Sequence, residues 1–264
     1  MSALDQVFAR CRQEDRAALV TYLPAAYPDL GASLHAMRTV VEAGADVVEV
    51  GVPYTDPLMD GPTIQRAAEQ ALAGGFRFSM VLDCVRAVSE AGGTAVVMSY
   101  WNPVLRHGVE AFARELAAAG GSGLITPDLI PDEAGAWLRA AEEHGVDPVF
   151  LVAPSSTDAR LRSTTAACRG FVYAASTMGV TGTRTSVGGG ARRLVERTRE
   201  VTDLPVCVGL GVSDADQAAE IAAYADGVIV GSALVDALGQ DPSGERLRAL
   251  TAELAAGVRR RHTR

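Results

Sequence analysis

Short runs of apolar, often β-branched residues recur along the chain and alternate with longer, Ala-rich stretches. Most of the short runs are apolar on both faces, which is typical of parallel strands that helices cover on each side. The eight predicted strands are Ala18–Leu23, Asp46–Val52, Ala95–Tyr100, Gly123–Thr126, Pro148–Val152, Gly170–Ala175, Pro205–Gly209 and Gly227–Val230.

The stretches between these strands have the apolar spacing of amphipathic helices. A further amphipathic stretch, Leu4–Arg12, precedes the first strand and predicts an additional N-terminal helix. The remaining predicted helices are Leu30–Ala43, Ile64–Ala73, Val81–Ala91, Val109–Ala119, Pro131–His144, Asp158–Ala167, Gly190–Val201, Asp214–Tyr224 and Glu245–Val258.

This alternation gives about eight βα units, the number found in a (β/α)₈ TIM barrel. An open, doubly wound sheet is the alternative, but no GxGxxG motif follows the first strand and the spacing is even throughout. We therefore predict an α/β protein in which residues 1–264 form one TIM-barrel domain, with an additional N-terminal helix and extra helices.

Composition narrows the possible functions. A net charge of −8 and a pI near 5.1 argue against a nucleic-acid-binding surface. The sequence contains no apolar run of the ~20 residues that cross a membrane, and its polar first residues do not have a secretory signal pattern. Four scattered cysteines without a CxxC pair indicate a reducing compartment, so we expect a cytoplasmic protein.

The basic residues are informative because all 24 of them are arginine. Without lysine, the chain cannot form a Schiff base through a lysine side chain. Its four histidines are far apart in the sequence, so we expect no metal centre built from several histidines.

Glu49 is an unusual residue for its position, because it interrupts a strand made of valines. A buried, unpaired carboxylate costs several kcal/mol or takes up a proton through a raised pKa. In TIM barrels the active site lies at the carboxyl ends of the strands. We interpret Glu49 as catalytic; the alternative is a structural residue that pairs with an arginine or caps a neighbouring helix.

The loop after this strand contains two more carboxylates, Asp56 and Asp60. Asp60 directly precedes Gly61-Pro62, where it could cap the next helix, and on local grounds this is as plausible as a catalytic role. Asp56-Pro57 is more simply a turn.

Glycine-containing turns follow three of the late strands, at Gly179–Gly182, Gly209–Gly211 and Gly231–Ala233. Backbone amides at a helix N-terminus favour phosphate, and barrels often bind phosphate beside their last two strands. Tyr100 and Tyr173 lie at strand ends, as core packing or as the wall of an apolar pocket. The residues alone thus predict an enzyme acting on a small phosphorylated compound, and leave isomerase, epimerase and lyase open.

Several segments together closely resemble one family, the tryptophan synthase α subunit, and its actinobacterial members most. VEVGVPYTDPLMDGPTIQ, from Val48 to Gln65, looks like the signature of that family. The likeness continues in order through SYWNPVL, GLITPDLIPDEA, FLVAPSST, GFVYAASTMGVTG, VGLGV and DGVIVGSA. The resemblance implies a lyase that reversibly cleaves indole-3-glycerol phosphate to indole and glyceraldehyde 3-phosphate in tryptophan biosynthesis.

The resemblance also implies roles for individual residues. Glu49 and Asp60 match the catalytic carboxylates, and Tyr173 matches a tyrosine that borders the substrate. Thr181 matches a threonine on a mobile loop that closes toward the aspartate. The expected phosphate-binding residues are Gly182, Gly211, Gly231 and Ser232, and the expected indole-pocket residues are Met98, Tyr100, Ile125 and Leu210.

One stretch departs from the family pattern, because Tyr22–Pro28 replaces the Thr-Ala-Gly-like sequence expected after the first strand. The family implies a β-subunit partner in an αββα heterotetramer, which carries pyridoxal phosphate and receives indole through a tunnel. No cofactor or metal is expected in this chain. The loop around Asp56 and the Asn102-Pro103 segment are the expected interface.

These residues suggest a hypothesis for catalysis without a metal ion or a Schiff base. Glu49 would shuttle a proton between the substrate hydroxyl and C3 of indole, while Asp60 would hydrogen-bond the ring N–H. The β subunit would accelerate turnover by ordering the loops that carry Asp60 and Gly182.

Overall fold

In the computed structural model, which describes residues 1–175, 189–209 and 211–260, eight parallel strands close into a barrel in chain order. The barrel closes because β1 pairs with β2 on one side and with β8 on the other. The strands are β1 Ala18–Pro24, β2 Val47–Gly51, β3 Thr94–Met98, β4 Gly121–Thr126, β5 Asp147–Val152, β6 Val172–Ala175, β7 Val206–Gly209 and β8 Gly227–Val230.

Helices surround this barrel. They are α1 Ala3–Gln13, α2 Leu30–Glu42, α3 Pro62–Ala73, α4 Ser79–Glu90, α5 Trp101–His107, α6 Val109–Ala118, α7 Gly135–His144, α8 Asp158–Ala167, α9 Gly189–Arg199, α10 Ala215–Ala222, α11 Ser232–Gln240 and α12 Glu245–Arg259. The predicted (β/α)₈ barrel with an N-terminal helix and extra helices is thus confirmed. None of the helices in the described ranges is long and apolar enough to span a membrane.

Some element boundaries differ from the prediction. The predicted helix Pro131–His144 is divided in the structure. Pro131 begins a 3₁₀ turn, Pro131–Glu133, and Gly135 begins the separate helix α7. The sequence reading also missed α5 and did not delimit α11. His107 ends α5; its ring stacks on Phe78 at 4.4 Å and its Nε2 lies 2.9 Å from Glu115.

Two apolar layers hold the barrel together. The outer layer fills the space between the strands and the surrounding helices. The inner layer fills the barrel with side chains such as Val20, Val47 and Ile125, and α1 closes its lower end. The ring of Phe8 on α1 lies 5.7 Å from that of Phe171, just before β6. The barrel is therefore packed solid at the amino ends of its strands.

A buried ion pair fixes the first two strands at this lower end. Arg16, before β1, donates from Nη1 and Nη2 to the two carboxylate oxygens of Asp46, at 2.7 and 2.8 Å. The backbone N–H of Leu19 donates to the same carboxylate at 2.9 Å. Because Asp46 immediately precedes β2, this network helps to set the register that places Glu49 beside β1.

The contact between α10 and α12 gives a test of the packing. A methyl group on Gly257 of α12 would lie 2.5 Å from the backbone oxygen of Ala215. We predict that Gly257→Ala lowers the free energy of unfolding by about 1–3 kcal/mol, because a backbone atom cannot easily move away. Gly135→Ala is the matched control, since its nearest contact is an ordinary 3.6 Å, and it should be neutral or slightly stabilising. Urea unfolding of both variants measures this, and equal stabilities would contradict the prediction.

Candidate active site

Glu49 lies at the centre of β2 and points into the barrel, in phase with Val47 of the inner layer. Its side chain is completely buried, and neither carboxyl oxygen has a hydrogen-bond partner among the described residues. Burial raises its pKa from an ordinary value of 4.5 to about 8. This environment does not support the structural alternative, in which an arginine pairs with Glu49 or the side chain caps a helix.

The raised pKa determines what Glu49 can do. At neutral pH the carboxyl group is mostly protonated, so it can donate a proton without first acquiring one. After donation, the resulting carboxylate is a stronger base than an ordinary carboxylate because it is enclosed by apolar side chains. The site therefore contains a group suited to moving one proton in each direction.

Asp60 lies in the loop between β2 and α3, and Gly61, not Asp60, occupies the capping position of α3. The hydroxyl of Tyr100 donates to Oδ1 of Asp60 at 3.3 Å and accepts a hydrogen bond from the backbone N–H of Met59 at 2.9 Å. The side chain of Gln65 holds the backbone oxygen of Asp60 at 2.8 Å. The carboxylate is thus held toward Tyr100.

Partial burial raises the pKa of Asp60, and the hydrogen bond from Tyr100 opposes the shift. The two carboxyl groups of the site consequently have different environments: Glu49 is enclosed and has no hydrogen-bond partner in the described part of the chain, and Asp60 has a hydroxyl donor. Such a difference in environment is typical of pairs that play different roles in acid–base catalysis.

A cavity of about 500 Å³ opens at the carboxyl ends of the strands and contains both carboxyl groups. It brings together six of the residues predicted for the site: Glu49, Asp60, Tyr173, Gly211, Gly231 and Ser232. Met98, expected in the indole pocket, also lines it. The remaining lining residues are Tyr22, Ile64, Gly209 and Ile229.

One side of the cavity is formed by backbone of the last two βα turns. Gly231 is the N-cap of α11 and Ser232 its first residue, and within the described part of the chain no side chain caps this helix. Gly211, after β7, has a positive φ of 57°, which favours glycine. An uncapped helix N-terminus beside a glycine turn is suited to bind an anionic group.

Other predicted site residues lie elsewhere. Tyr100 is buried and holds Asp60 in place, but does not line the cavity wall. Ile125 is completely buried in the inner layer of the barrel and does not line the cavity either. Gly182, Thr181 and Leu210 lie outside the described residues.

The sequence reading missed Tyr22 as a site residue. Its position is in phase with Ala18 and Val20 on β1, both in the inner layer, so strand alternation indicates an inward side chain. Tyrosine is common in strands, however, and its placement beside Glu49 depends on strand pairing. Ile64 and Ile229 gave no chemical signal, because both are apolar residues at ordinary core positions.

A group of side chains with metal-ligand spacing does occur in the described ranges, but outside this cavity. Ligand atoms of Glu110, Glu143 and His144 lie within 4.8 Å of one another, on α6 and α7. Both glutamates are exposed, and none of the three residues lines the cavity. This group therefore has no part in the chemistry of the site.

Fold and cavity together define the class of protein, a (β/α)₈-barrel enzyme with a protonatable carboxyl group at the carboxyl ends of its strands. The sequence profile of the family described as tryptophan synthase alpha chain matches residues 8–262. The chain belongs to this family, as its resemblance predicted.

Individual relatives and solved structures support the same family assignment. The chain is 66% identical over 260 residues to the tryptophan synthase alpha chain of Mycobacterium avium (strain 104), covering 98% of this chain and 96% of the relative. A structure of Mycobacterium tuberculosis tryptophan synthase superposes with a TM-score of 0.94 at 65% identity, over 98% of each chain. The alpha subunit from Legionella pneumophila str. Paris has a TM-score of 0.88 at 28% identity, again over 98% of each chain.

These relationships confirm the predicted activity. The enzyme is a lyase of tryptophan biosynthesis that cleaves indole-3-glycerol phosphate to indole and glyceraldehyde 3-phosphate.

The buried carboxyl group of Glu49 leads to a prediction of how the free energy of unfolding depends on pH. Because the folded pKa of Glu49, about 8, exceeds its ordinary 4.5, the folded protein binds the extra proton between these values. Wild-type stability should fall as pH rises through this window and level off above it. Relative to wild type, Glu49→Gln should gain up to about 1.4 kcal/mol per pH unit within the window.

Urea unfolding at several pH values between about 5 and 9 measures this difference. Glu69→Gln, the same substitution at an exposed position of α3, is the control, and it should lack the large gain in stability expected for Glu49→Gln. If the curves of Glu49→Gln and wild type ran parallel, Glu49 would not be protonated in the folded state at neutral pH.

Proposed function

We propose that this lyase works as a metal-free retro-aldolase in which Glu49 is the proton shuttle and Asp60 stabilises the charge that develops on the indole ring. The observation that carries the proposal is the enclosed, unpartnered carboxyl group of Glu49 in a cavity that ends at an uncapped helix N-terminus. A proton donor and an anion-binding site that line the same cavity suit a phosphorylated substrate that must exchange protons.

The phosphate group would bind at the glycine-lined side of the cavity. The backbone amides at Gly231 and Ser232 and the turn at Gly211 supply donors without requiring a basic side chain. With the phosphate there, the three-carbon chain extends toward Glu49, and the indole ring lies beside Asp60. Met98, Ile64 and Tyr173 supply apolar surface for the ring.

The reaction then needs one proton transfer in each direction. Glu49 donates its proton to C3 of the indole ring, which becomes an indoleninium cation. The new carboxylate removes the proton from the hydroxyl on the adjacent carbon. The electrons of that O–H bond form the carbonyl of glyceraldehyde 3-phosphate, and those of the carbon–carbon bond return to the ring. Indole leaves and Glu49 is protonated again.

Asp60 would act on the ring nitrogen. Protonation at C3 places positive charge on this nitrogen, and a carboxylate that accepts its N–H hydrogen bond stabilises the cation. Tyr100 keeps the carboxylate in place through the 3.3 Å hydrogen bond and ties it to the loop backbone at Met59. Tyr100 is therefore a positioning residue in this scheme.

The indole product suggests a partner that consumes it. We infer that the partner is the β subunit of tryptophan synthase, in an αββα assembly, and that pyridoxal phosphate is held there. The present chain has no lysine with which to form an internal aldimine.

Turnover of single variants tests the catalytic assignment. We predict that Glu49→Gln lowers the rate of indole release from indole-3-glycerol phosphate by about 10²–10⁴, because the amide cannot shuttle a proton. Asp60→Asn should lower it by about 10², because a charge-stabilising acceptor is lost. Each is measured with and without the β subunit, with Glu69→Gln as the control of unchanged activity.

Two outcomes would count against this scheme. Near-normal turnover of Glu49→Gln would show that another group moves the proton. A wild-type chain that binds phosphorylated ligands but releases no indole in either condition would be better described as a subunit that activates its partner.

A surface near the cavity is suited to the partner. Three large apolar side chains in the described residues are exposed beyond consecutive strands at this end of the barrel: Leu58 by 75%, Leu105 by 57% and Ile130 by 38%. Exposed apolar groups that share one face commonly mark a protein interface. We propose this face, which includes the expected Asp56 loop and Asn102, as the β-subunit interface.

The same face is connected to the catalytic loop. The side-chain amide of the exposed Asn102 donates to the hydroxyl of Tyr54 at 3.1 Å. The ring of Tyr54 packs 5.4 Å from that of Tyr100, which in turn holds Asp60. A partner seated over Asn102 would therefore restrict the residues that position Asp60, and this provides a route for activation.

A charge placed on this face tests the interface. We predict that Leu105→Glu weakens binding of the β subunit about tenfold or more, because a carboxylate would have to be buried on association. Indole release by the isolated chain should stay unchanged, since Leu105 does not line the cavity.

Gln13→Glu, at an exposed position of α1 at the opposite end of the barrel, is the matched control and should bind the β subunit as wild type does. Binding is measured by titrating the β subunit. Equal affinities of Leu105→Glu and Gln13→Glu would exclude this face.

A further inference from the structure

Tyr22 spans the cavity between its two chemically distinct sides. On β1 it pairs in register with Glu49, and both side chains line the cavity. A Cβ on Gly51 of β2 would lie 2.3 Å from the Tyr22 hydroxyl, and one on Gly231 would lie 3.4 Å from its Cδ1. The ring therefore extends from the helix N-terminus of α11, at Gly231, toward the strand that carries Glu49.

The height of the hydroxyl above Glu49 follows from the strand geometry. Gly51 is two residues beyond Glu49, so it faces the same side about 6.6 Å closer to the mouth of the cavity. The Tyr22 hydroxyl lies against Gly51, one side-chain layer above the carboxyl group. A ligand that reaches from the phosphate-binding side to Glu49 must pass this hydroxyl.

The Tyr22 hydroxyl is neutral, and none of the described residues holds it by a hydrogen bond. Burial, reinforced by the nearby carboxyl groups of Asp60 and Glu49, raises the pKa of Tyr22 well above its ordinary value. Within the described residues this hydroxyl forms no hydrogen bond, whereas the hydroxyl of Tyr100 is already engaged with Met59 and Asp60. Tyr22 is thus available to donate to a ligand or to accept from one.

We propose that the Tyr22 hydroxyl hydrogen-bonds the hydroxyl on the middle carbon of the three-carbon chain of the substrate, and that the enzyme thereby selects for substrates that carry it. The inference rests on the proposed function, which assigns the phosphate to Gly231 and Ser232 and the hydroxyl at the cleaved bond to Glu49. In this placement the middle hydroxyl would lie between these two groups, near the end of the Tyr22 ring, which extends from Gly231 to Gly51.

A double-mutant cycle between enzyme and substrate tests this contact. The value of kcat/KM for indole release is measured for indole-3-glycerol phosphate and for its analogue without the middle hydroxyl, with wild type and Tyr22→Phe. We expect the missing hydroxyl to cost wild type about three- to tenfold. For Tyr22→Phe the ratio of the kcat/KM values of the two substrates should be about one, because this variant has already lost the hydroxyl that contacts the substrate.

Tyr173→Phe is the matched control, because its hydroxyl lies against Gly209 on the other side of the barrel. This variant should discriminate between the two substrates as wild type does, whatever its absolute rate. Thermal unfolding checks that each variant is folded, and the ratio of the two substrates for one variant is insensitive to partial loss of active protein.

The outcomes separate two kinds of failure. If Tyr22→Phe discriminated as strongly as wild type while both released indole, the contact would be refuted and the proposed function would stand. If wild type released no indole from either compound, the proposed roles of the site would be wrong, and the inference would fail with them.

Discussion

Closure of the barrel between β1 and β8 is the constraint on which the site depends. Residues that are far apart in the sequence, such as Glu49, Tyr173 and Gly231, line one cavity because their strands follow one another around a closed sheet. The lower end is sealed by α1 and by the pair Arg16–Asp46, so the space for a ligand remains at the carboxyl ends. An open sheet would leave the two ends of this series of strands apart.

The same closure explains the chemistry of Glu49. A carboxyl group on a sheet with one face in water would be hydrated and would keep an ordinary pKa. Inside the barrel, apolar neighbours exclude water from Glu49, and no described residue donates a hydrogen bond to it. The neutral, protonated form is therefore favoured, and the pKa rises. The cost of keeping this group buried fits the catalytic role that we propose for Glu49, since strained or destabilising features concentrate at functional sites.

The sequence predicted the strands well because each is a short apolar run, and it revealed Glu49 because a carboxylate in such a run contradicts the pattern. It could not decide whether Asp60 caps α3, since that depends on which residue adopts the capping conformation. The sequence did not predict α5, a short helix that carries Pro103 in its first turn, where proline is tolerated. Strand alternation indicates which side chains face inward, but their depth depends on the stagger of the strands, so Met98 reaches the cavity and Ile125 does not.

The two carboxyl groups lie on different kinds of element, Glu49 on a strand and Asp60 in a loop, and there is a physical reason for this difference. Burial on a central strand of the barrel raises the pKa of Glu49. In the proposed scheme Asp60 meets a ring that enters and leaves, and a loop is better suited to that role than a strand. Its position depends on Tyr100, whose ring packs against that of Tyr54 in the loop at the face that we propose for the β subunit. In the proposed scheme a partner on this face would act on the carboxylate in the loop and leave Glu49 on its strand in place, so activation would not require a change in the barrel.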